Sequence, residues 1–238
     1  MKKQLLIISD GNGVDTDFVK WPTLLKILTT KSLNVINRSV VGASNEMMLL
    51  QLSDADLANI DYAIIQWTIP HRIDLVVNDF WRHQAEIDPV YHFNLVENNQ
   101  KTWWVTSASK NPYVKQYHSQ YIDYWHASLR TAGYMLAAAE LLKFHNIKFV
   151  FSLCYQFEFS GVYKDILTSY PWAWHMPNFG LSEFRTQSKY HHLDKKLSQP
   201  HPLIGLEWID RVLKPGTDFI DYDPTTYYNV EQSLLKNV

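Results

Sequence analysis

Short apolar runs alternate with helical patterns near both ends of the chain. Residues 5–8 form a continuous apolar run between polar residues, as is typical of a buried parallel strand, and residues 61–67 and 147–153 are mostly apolar. Residues 35–41 are apolar at both ends, and this segment closes at Gly42. The pattern predicts four strands of one parallel sheet.

The segments between these runs carry apolar residues at helical spacing. They predict helices over residues 18–30, 45–52, 123–144 and 202–213, and Pro215-Gly216 prevents the last of them from continuing. Strands that alternate with helices favour an α/β fold, with a parallel sheet that is covered by helices on both faces.

The periodicity is lost in two polar, aromatic-rich segments, residues 70–119 and 155–196. We predict no regular elements in them, and we expect an insertion over about 78–121 to form an irregular cap beside the site. The tail, residues 217–238, is expected to pack across the body or to reach a partner. Because no linker composition interrupts the chain, we interpret residues 1–238 as a single domain.

A turn with catalytic character follows the first predicted strand. Ser9, Asp10 and Gly11 end the apolar run, and a helical pattern begins a few residues later. Hydrolytic α/β folds present a reactive side chain at such a strand-to-helix turn, above the edge of the sheet. A reactive serine is expected at position 11, which is a glycine here.

Four separated segments give the chain a resemblance to the SGNH (GDSL-type) hydrolase family. They are Ser9-Asp10-Gly11, Val41-Gly42-Ala43-Ser44-Asn45, Ile65-Gln66-Trp67-Thr68 and Ser198-Gln199-Pro200-His201-Pro202. The resemblance implies a flavodoxin-like three-layer sandwich with a parallel central sheet. Around Trp67 and Arg72 the chain is similar to a divergent group of this family from tailed phages of marine bacteria.

The same resemblance implies a site whose side chains are largely changed. The family's nucleophilic serine corresponds to Gly11, its oxyanion-binding asparagine to Thr68, and the aspartate of its last block to Ser198, while the histidine remains as His201. Ester hydrolysis needs a nucleophile, a base, a carboxylate and oxyanion donors. The backbone N–H groups of Gly11 and Gly42, with the hydroxyl of Thr68, are the candidate oxyanion donors.

Two side chains near the turn have competing interpretations. Ser9 faces the same way as position 11 but lies about 6–7 Å further back along the strand, whereas proton transfer to His201 requires about 3 Å. Ser9 is therefore either a displaced nucleophile or a small residue that closes the strand. Asp10 is either a catalytic carboxylate or a cap of the turn.

Candidate ligand-binding residues come from the same edge and from the aromatic segments. The chain has nine Trp, fourteen Tyr and eleven Phe against eight Gly, which favours a groove or an interface beyond the core. The candidates are Asn45, Trp67, Arg72, Trp103, Trp104, Trp172 and Trp174. Arg72 suits a carboxylate, sulfate or phosphate, or a salt bridge to Asp74 or Asp10. The tryptophans suit a sugar-binding groove, a protein interface or simple core packing.

Composition removes several classes of function. A net charge of −2 without a cluster of basic residues argues against nucleic acid as a partner. The single Cys154 excludes an intrachain disulfide, and the four apolar residues that precede Ser9 are too few for a signal peptide or a membrane span. We expect a cytoplasmic or virion-associated protein without a cofactor. His191 and His192 are interpreted as surface residues rather than metal ligands.

Three functions remain open at this point. The favoured one is a catalytically degenerate relative of SGNH hydrolases that binds a glycan, a small ligand or a protein partner, and that serves as a phage component. The alternative is an ester or acetyl-ester hydrolase that uses Ser9, or another hydroxyl, with His201. A purely structural protein would bury its tryptophans in a contact between copies of the chain.

Overall fold

The structure is a computed structural model that describes residues 2–10, 13, 19–70, 72, 75–78, 91–94, 101–105, 111–112, 115–116, 123–154, 181–194 and 200–236. The strands and helices follow one another along the chain as β1 (Lys3–Ser9), α1 (Trp21–Leu28), β2 (Leu33–Asn37), α2 (Asn45–Ser53), β3 (Tyr62–Trp67), β4 (Leu75–Asn78), β5 (Tyr91–Asn94), β6 (Lys101–Val105), α3 (Tyr124–Phe144), β7 (Lys148–Leu153), α4 (Leu181–Gln187), α5 (Pro202–Trp208) and α6 (Pro224–Leu235).

The four predicted strands form one parallel sheet in the order β2-β1-β3-β7. Ser9 at the end of β1 is the partner of Gln66 in β3, and Gln66 is the partner of Ser152 in β7. Because all four strands run the same way, their carboxyl ends meet at one edge. The predicted α/β class with a parallel sheet is confirmed.

Each face of this sheet is buried by its own set of helices. Alternate strand residues such as Ile7 and Ile64 pack with α1, α4, α5 and α6 in one core. The intervening residues, such as Ile8 and Ile65, pack with α2 and α3 in a second core. Strand residues that are buried on both faces explain the continuous apolar runs. This arrangement is compatible with a three-layer α/β sandwich.

The expectation of an irregular segment over residues 70–119 is wrong for three short stretches of it. Strands β4, β5 and β6 form a separate antiparallel sheet in the order β4-β6-β5, in which Trp103 is the partner of Val77 and Trp104 the partner of Val76. Strands of four or five residues are too short to establish a period, and pairing with a neighbouring strand decides their conformation.

The prediction of a second strand over residues 35–41 is shifted by two to four residues. The strand β2 ends at Asn37, whose side-chain oxygen accepts hydrogen bonds from the backbone N and the hydroxyl of Ser39, at 3.1 and 2.7 Å. A local bond of this kind competes with the sheet ladder and turns the chain. The chain therefore leaves the sheet before Gly42, which adopts a φ of 76°.

The second half of the chain is more regular than predicted. Helix α4 and the 3-10 turn His191–Asp194 lie within the segment that was expected to be irregular. Helix α5 continues through a π-helical turn, Ile209–Leu213, before Pro215, as predicted. The tail forms α6, whose Tyr227, Val230 and Leu234 pack against the core, so it lies across the body.

Candidate functional site

The carboxyl ends of β1 and β3 bring several predicted site residues together. The pairing of Ser9 with Gln66 places Asp10 beside the segment that follows β3, which contains Thr68 and Arg72. Loops at the carboxyl edge of a parallel sheet are the usual ligand-binding region of such folds. The hydrogen bonds at this edge decide which polar groups remain available to a ligand.

Three residues, Asp10, Thr68 and Arg72, form what we call the Asp10 cluster. The Oδ2 atom of Asp10 accepts hydrogen bonds from Thr68 Oγ1 at 2.9 Å and from Arg72 Nη1 at 2.5 Å. The Asp10 side chain is 3% exposed and that of Arg72 is 19% exposed. Of the alternatives left open for Arg72, the structure shows the salt bridge to Asp10. The hydroxyl proton of Thr68 points to a carboxylate, so this conformation does not offer it to an oxyanion.

Asn45 joins the end of β3 to helix α3. Its Oδ1 atom accepts from the backbone N of Thr68 at 2.9 Å, and its Nδ2 atom donates to Thr68 O at 3.1 Å and to Thr131 Oγ1 at 3.0 Å. Because these bonds use its amide, the role of Asn45 in this conformation is to fix the strand end against the helix rather than to donate to a ligand.

Ser9 is enclosed by protein. It is 0% exposed, and its Oγ atom lies 3.1 Å from Gln66 Oε1 and 3.3 Å from Asp10 O. Gln66 Oε1 also accepts from Trp21 Nε1 at 3.1 Å. A Cβ atom on Gly13 would lie 2.7 Å from Ser9 Oγ, so Gly13 packs closely against the hydroxyl. In this conformation Ser9 presents no surface to a substrate, and its proton is directed to an acceptor within the fold.

Gln66 was not among the predicted site residues. A glutamine within the mostly apolar strand β3 is nevertheless a recognisable sign of a buried polar contact.

His201 lies at the start of helix α5, where it acts as the N-cap. With Asp194 and Arg185 it forms what we call the His201 cluster. His201 Nδ1 accepts from the backbone N of Leu203 at 3.3 Å, and the backbone N of His201 donates to Asp194 Oδ1 at 3.1 Å. Asp194 also accepts from Arg185 Nε. The imidazole and the nearby carboxylate therefore both stabilise the entry to α5.

The protonation of His201 follows from this contact. Burial lowers the pKa of His201, while the negative charge of Asp194 acts in the opposite direction. A neutral imidazole that accepts at Nδ1 carries its proton on Nε2. A serine-type catalytic base needs the other tautomer, with the proton on Nδ1 and a free acceptor at Nε2. The tautomer favoured here is thus the wrong one for a general base at Nε2.

A shallow open cleft, which encloses about 10 Å³, lies beside the Asp10 cluster, between the start of α2, the segment after β3 and the first half of α3. Its polar lining residues include Ser44, Glu46, Arg72, Arg130, Thr131 and Tyr134. Burial raises the pKa of Tyr134, and its hydrogen bond with Glu46 and the charge of that residue act in the same direction. This cleft combines an accessible surface with charged groups at the edge where ligands are expected.

Sequence reasoning missed Arg130 and Tyr134. Both belong to the predicted helix 123–144, four residues apart, and that spacing places them on the same face. The sequence was enough to predict that they share a face. It could not show that this face borders Arg72, because that depends on how α3 packs.

The remaining candidate residues are the tryptophans and Gly11. Trp67 is 0% exposed and contacts Phe151 edge to face at 5.4 Å, so it belongs to the core rather than to a ligand-facing surface. Trp103 and Trp104 belong to β6. Gly11, Trp172 and Trp174 lie outside the described residues.

Among the described residues, no group of three or more His, Cys, Asp or Glu is arranged to hold a metal ion. His191 and His192 are exposed. None of the helices in the described ranges combines the length and the apolar character that crossing a membrane requires.

Fold and site together define an α/β protein with a parallel sheet and a polar cleft at its carboxyl edge. Comparison with protein-family models and with curated proteins gives no match to this chain. Function must therefore be argued from the side chains of the site.

Proposed function

We propose that this protein is a divergent, catalytically degenerate relative of the SGNH hydrolases that binds a small polar ligand or a glycan in the cleft beside Arg72. The strand order β2-β1-β3-β7 is the beginning of the flavodoxin-like order, which supports this family assignment. A role as a phage component, and a protein partner or second copy at the same edge, rest on the sequence resemblance alone.

The observation that carries the proposal is the open cleft next to an arginine that is held in place by a buried carboxylate. Arg72 has five N–H donors, and one of them is bonded to Asp10. The others belong to a side chain that lines the cleft. A buried carboxylate that orients a partly exposed arginine is an arrangement that suits ligand recognition.

Loss of hydrolysis is supported by the state of the two best catalytic candidates. The hydroxyl of Ser9 is buried against Gln66, and the Nδ1 atom of His201 accepts a backbone hydrogen bond. Nucleophilic catalysis requires a nucleophile within reach of both the base and the substrate. Ser9 has no exposed surface, so a substrate cannot reach its hydroxyl in this conformation.

One observation favours the alternative, an ester or acetyl-ester hydrolase. Asp194 lies beside His201 and acts to raise its pKa, as the carboxylate of a catalytic histidine would. The alternative requires the imidazole to leave the cap of α5 and to meet Ser9 or another hydroxyl.

The test compares hydrolysis of short-chain and acetyl-sugar p-nitrophenyl esters by the wild type, Ser9→Ala and His201→Ala. We expect the three proteins to release p-nitrophenol at the same low rate, because surface nucleophiles alone act on the ester. A wild-type rate at least a hundredfold above that of both variants would overturn the proposal and establish a hydrolase.

A further inference from the structure

The cleft beside the Asp10 cluster carries two guanidinium groups in different states. Arg72 is bonded to the buried Asp10, which restricts its position. Arg130 is exposed on the first half of α3, and it forms no ion pair with any carboxylate of the described residues. Both line the same cleft, so two sets of donors border one small volume.

The cleft also carries the opposite charge. Burial and the negative charge of the neighbouring Glu46 both raise the pKa of Tyr134, which lies four residues after Arg130 on α3. A second anionic group of a ligand would be repelled by Glu46, whereas a hydroxyl group can donate to its free carboxylate lone pairs. The lining thus favours one anionic group near the arginines and hydroxyl groups near Glu46.

The size of the cleft limits the ligand. Its enclosed space of about 10 Å³ is room for about one water molecule, far below the roughly 300–1,000 Å³ of sites that hold drug-sized molecules. The cleft can therefore enclose one small group of a ligand, such as its anionic group, and the rest of the ligand must lie across the open rim.

We infer that the cleft binds a small hydroxylated molecule with one anionic group, a carboxylate or a phosphate, which accepts hydrogen bonds from Arg72 and Arg130. Asp10 and Thr68 act as positioning residues because they hold the guanidinium of Arg72. This inference rests on the proposed function and adds the chemical class of the ligand. Guanidinium groups suit such anions because their N–H donors match the spacing of two oxygens.

Glucuronate and glucose are the matched probes for this inference, since they share a hydroxylated ring and differ by one carboxylate. We expect the full chain to bind glucuronate at least tenfold more tightly than glucose in isothermal titration calorimetry at low salt. The affinity for glucuronate should decrease when the salt concentration is raised. Inorganic phosphate as a competitor distinguishes a phosphate ligand from a carboxylate ligand.

Two variants test the arginines without removing the fold. Arg130→Gln changes an exposed residue and is expected to weaken glucuronate binding about tenfold through the loss of one charge-assisted bond. Lys143→Gln is the matched control, because Lys143 is an exposed cation on the same helix that pairs with Glu140 outside the cleft. Arg72→Lys keeps the charge beside Asp10 but loses the planar set of donors, and binding should weaken several-fold.

The outcomes separate the inference from the proposed function. Equal binding of glucose and glucuronate, with amide shifts in residues 44–46 and 130–134, would overturn the anionic class and leave a ligand site in place. Equal effects of Arg130→Gln and Lys143→Gln would also overturn it. Absence of binding by all three probes would overturn the inference, and rapid ester hydrolysis by the wild type would overturn the proposed function.

Discussion

The Asp10 cluster and the His201 cluster use the same pair of residue types for different purposes. Each contains a nearly buried aspartate paired with an arginine, with 3% exposure for the Asp10 side chain and 8% for that of Asp194. Asp194 fixes the backbone at the start of α5, where His201 also caps the helix. Asp10 instead holds an arginine that borders an open cleft.

This difference indicates which of the two clusters still has hydrogen-bond donors for a ligand. A buried carboxylate has to be paired, so an ion pair by itself indicates only that the group is compensated. The N–H groups of the arginine that do not contact the aspartate are informative, because they show whether donors remain for a ligand. By that criterion we propose the Asp10 cluster as the binding site, while the cap and the main-chain contact of the His201 cluster serve the fold.

The largest expected effect is that of Arg72→Leu. Removing one partner of a buried ion pair leaves an uncompensated carboxylate, and we expect the free energy of unfolding to fall by about 3 kcal/mol in urea denaturation. Arg185→Leu should have a similar cost at Asp194, but only Arg72→Leu should abolish glucuronate binding. Arg38→Leu is the control, since its partner Asp54 is 63% exposed and the pair should contribute less than about 1 kcal/mol.

If Arg72→Leu and Arg38→Leu had the same stability, the Asp10 cluster would not be a buried ion pair in solution. The comparison of the two clusters would then lose its basis.

Thr68→Val is expected to lower stability by about 2 kcal/mol. It removes a hydroxyl that donates to the buried carboxylate of Asp10, and hydrogen bonds to charged groups contribute about 1.5–3 kcal/mol. Thr131→Val is the neutral counterpart, because the hydroxyl of Thr131 accepts a hydrogen bond from the uncharged amide of Asn45. This substitution should lower the free energy of unfolding by about 1 kcal/mol. A larger loss for Thr131→Val than for Thr68→Val would contradict the assignment of the charged partner.

His201→Ala should lower stability by about 1 kcal/mol at neutral pH through the loss of the N-cap. The wild type should also lose stability as the pH falls. Burial holds the pKa of His201 below its ordinary value of 6.5, so below that pH the unfolded chain binds a proton that the folded chain refuses. The stability that neutral His201 contributes is fully present above pH 6.5. It is lost as the pH falls from 6.5 towards the pKa of His201 in the folded chain.

His201→Asn separates the two effects of this residue. Asparagine keeps an N-cap acceptor but does not titrate, so denaturation between pH 5 and 8 should give a flatter profile with near wild-type stability at pH 8. An unchanged slope would assign the pH dependence to another group.

The smallest effect is expected for Gly133→Ala in α3, the helix that borders the cleft. Gly133 lies in the helix interior, and a Cβ atom there has no other atom within 4 Å. Alanine should raise stability by about 0.5–1 kcal/mol. Glucuronate binding should stay unchanged, because the substitution touches neither cluster. A decrease in thermal stability would show that this part of α3 is not a regular exposed helix in solution.

Much of the fold was predictable because its determinants are local. The buried strands β1, β3 and β7 appear as apolar runs, and α3 begins at Asp123, whose carboxylate accepts from the backbone N of Trp125 and of His126. The end of β2 was misplaced because Asn37 bonds to its own neighbours. The antiparallel sheet was missed because its strands are short and depend on their partners.

The sequence by itself determined the α/β class, the parallel strands and the place along the chain where polar residues leave the sheet. It also supplied Arg72 and its two possible partners, an anion or Asp10. Only the tertiary structure decided that Arg72 pairs with Asp10, that Ser9 is sealed against Gln66, and that Arg130 of a distant helix borders the same cleft. The physical reason is that apolar periodicity is a local property, whereas hydrogen-bond partners and exposure depend on segments brought together by packing.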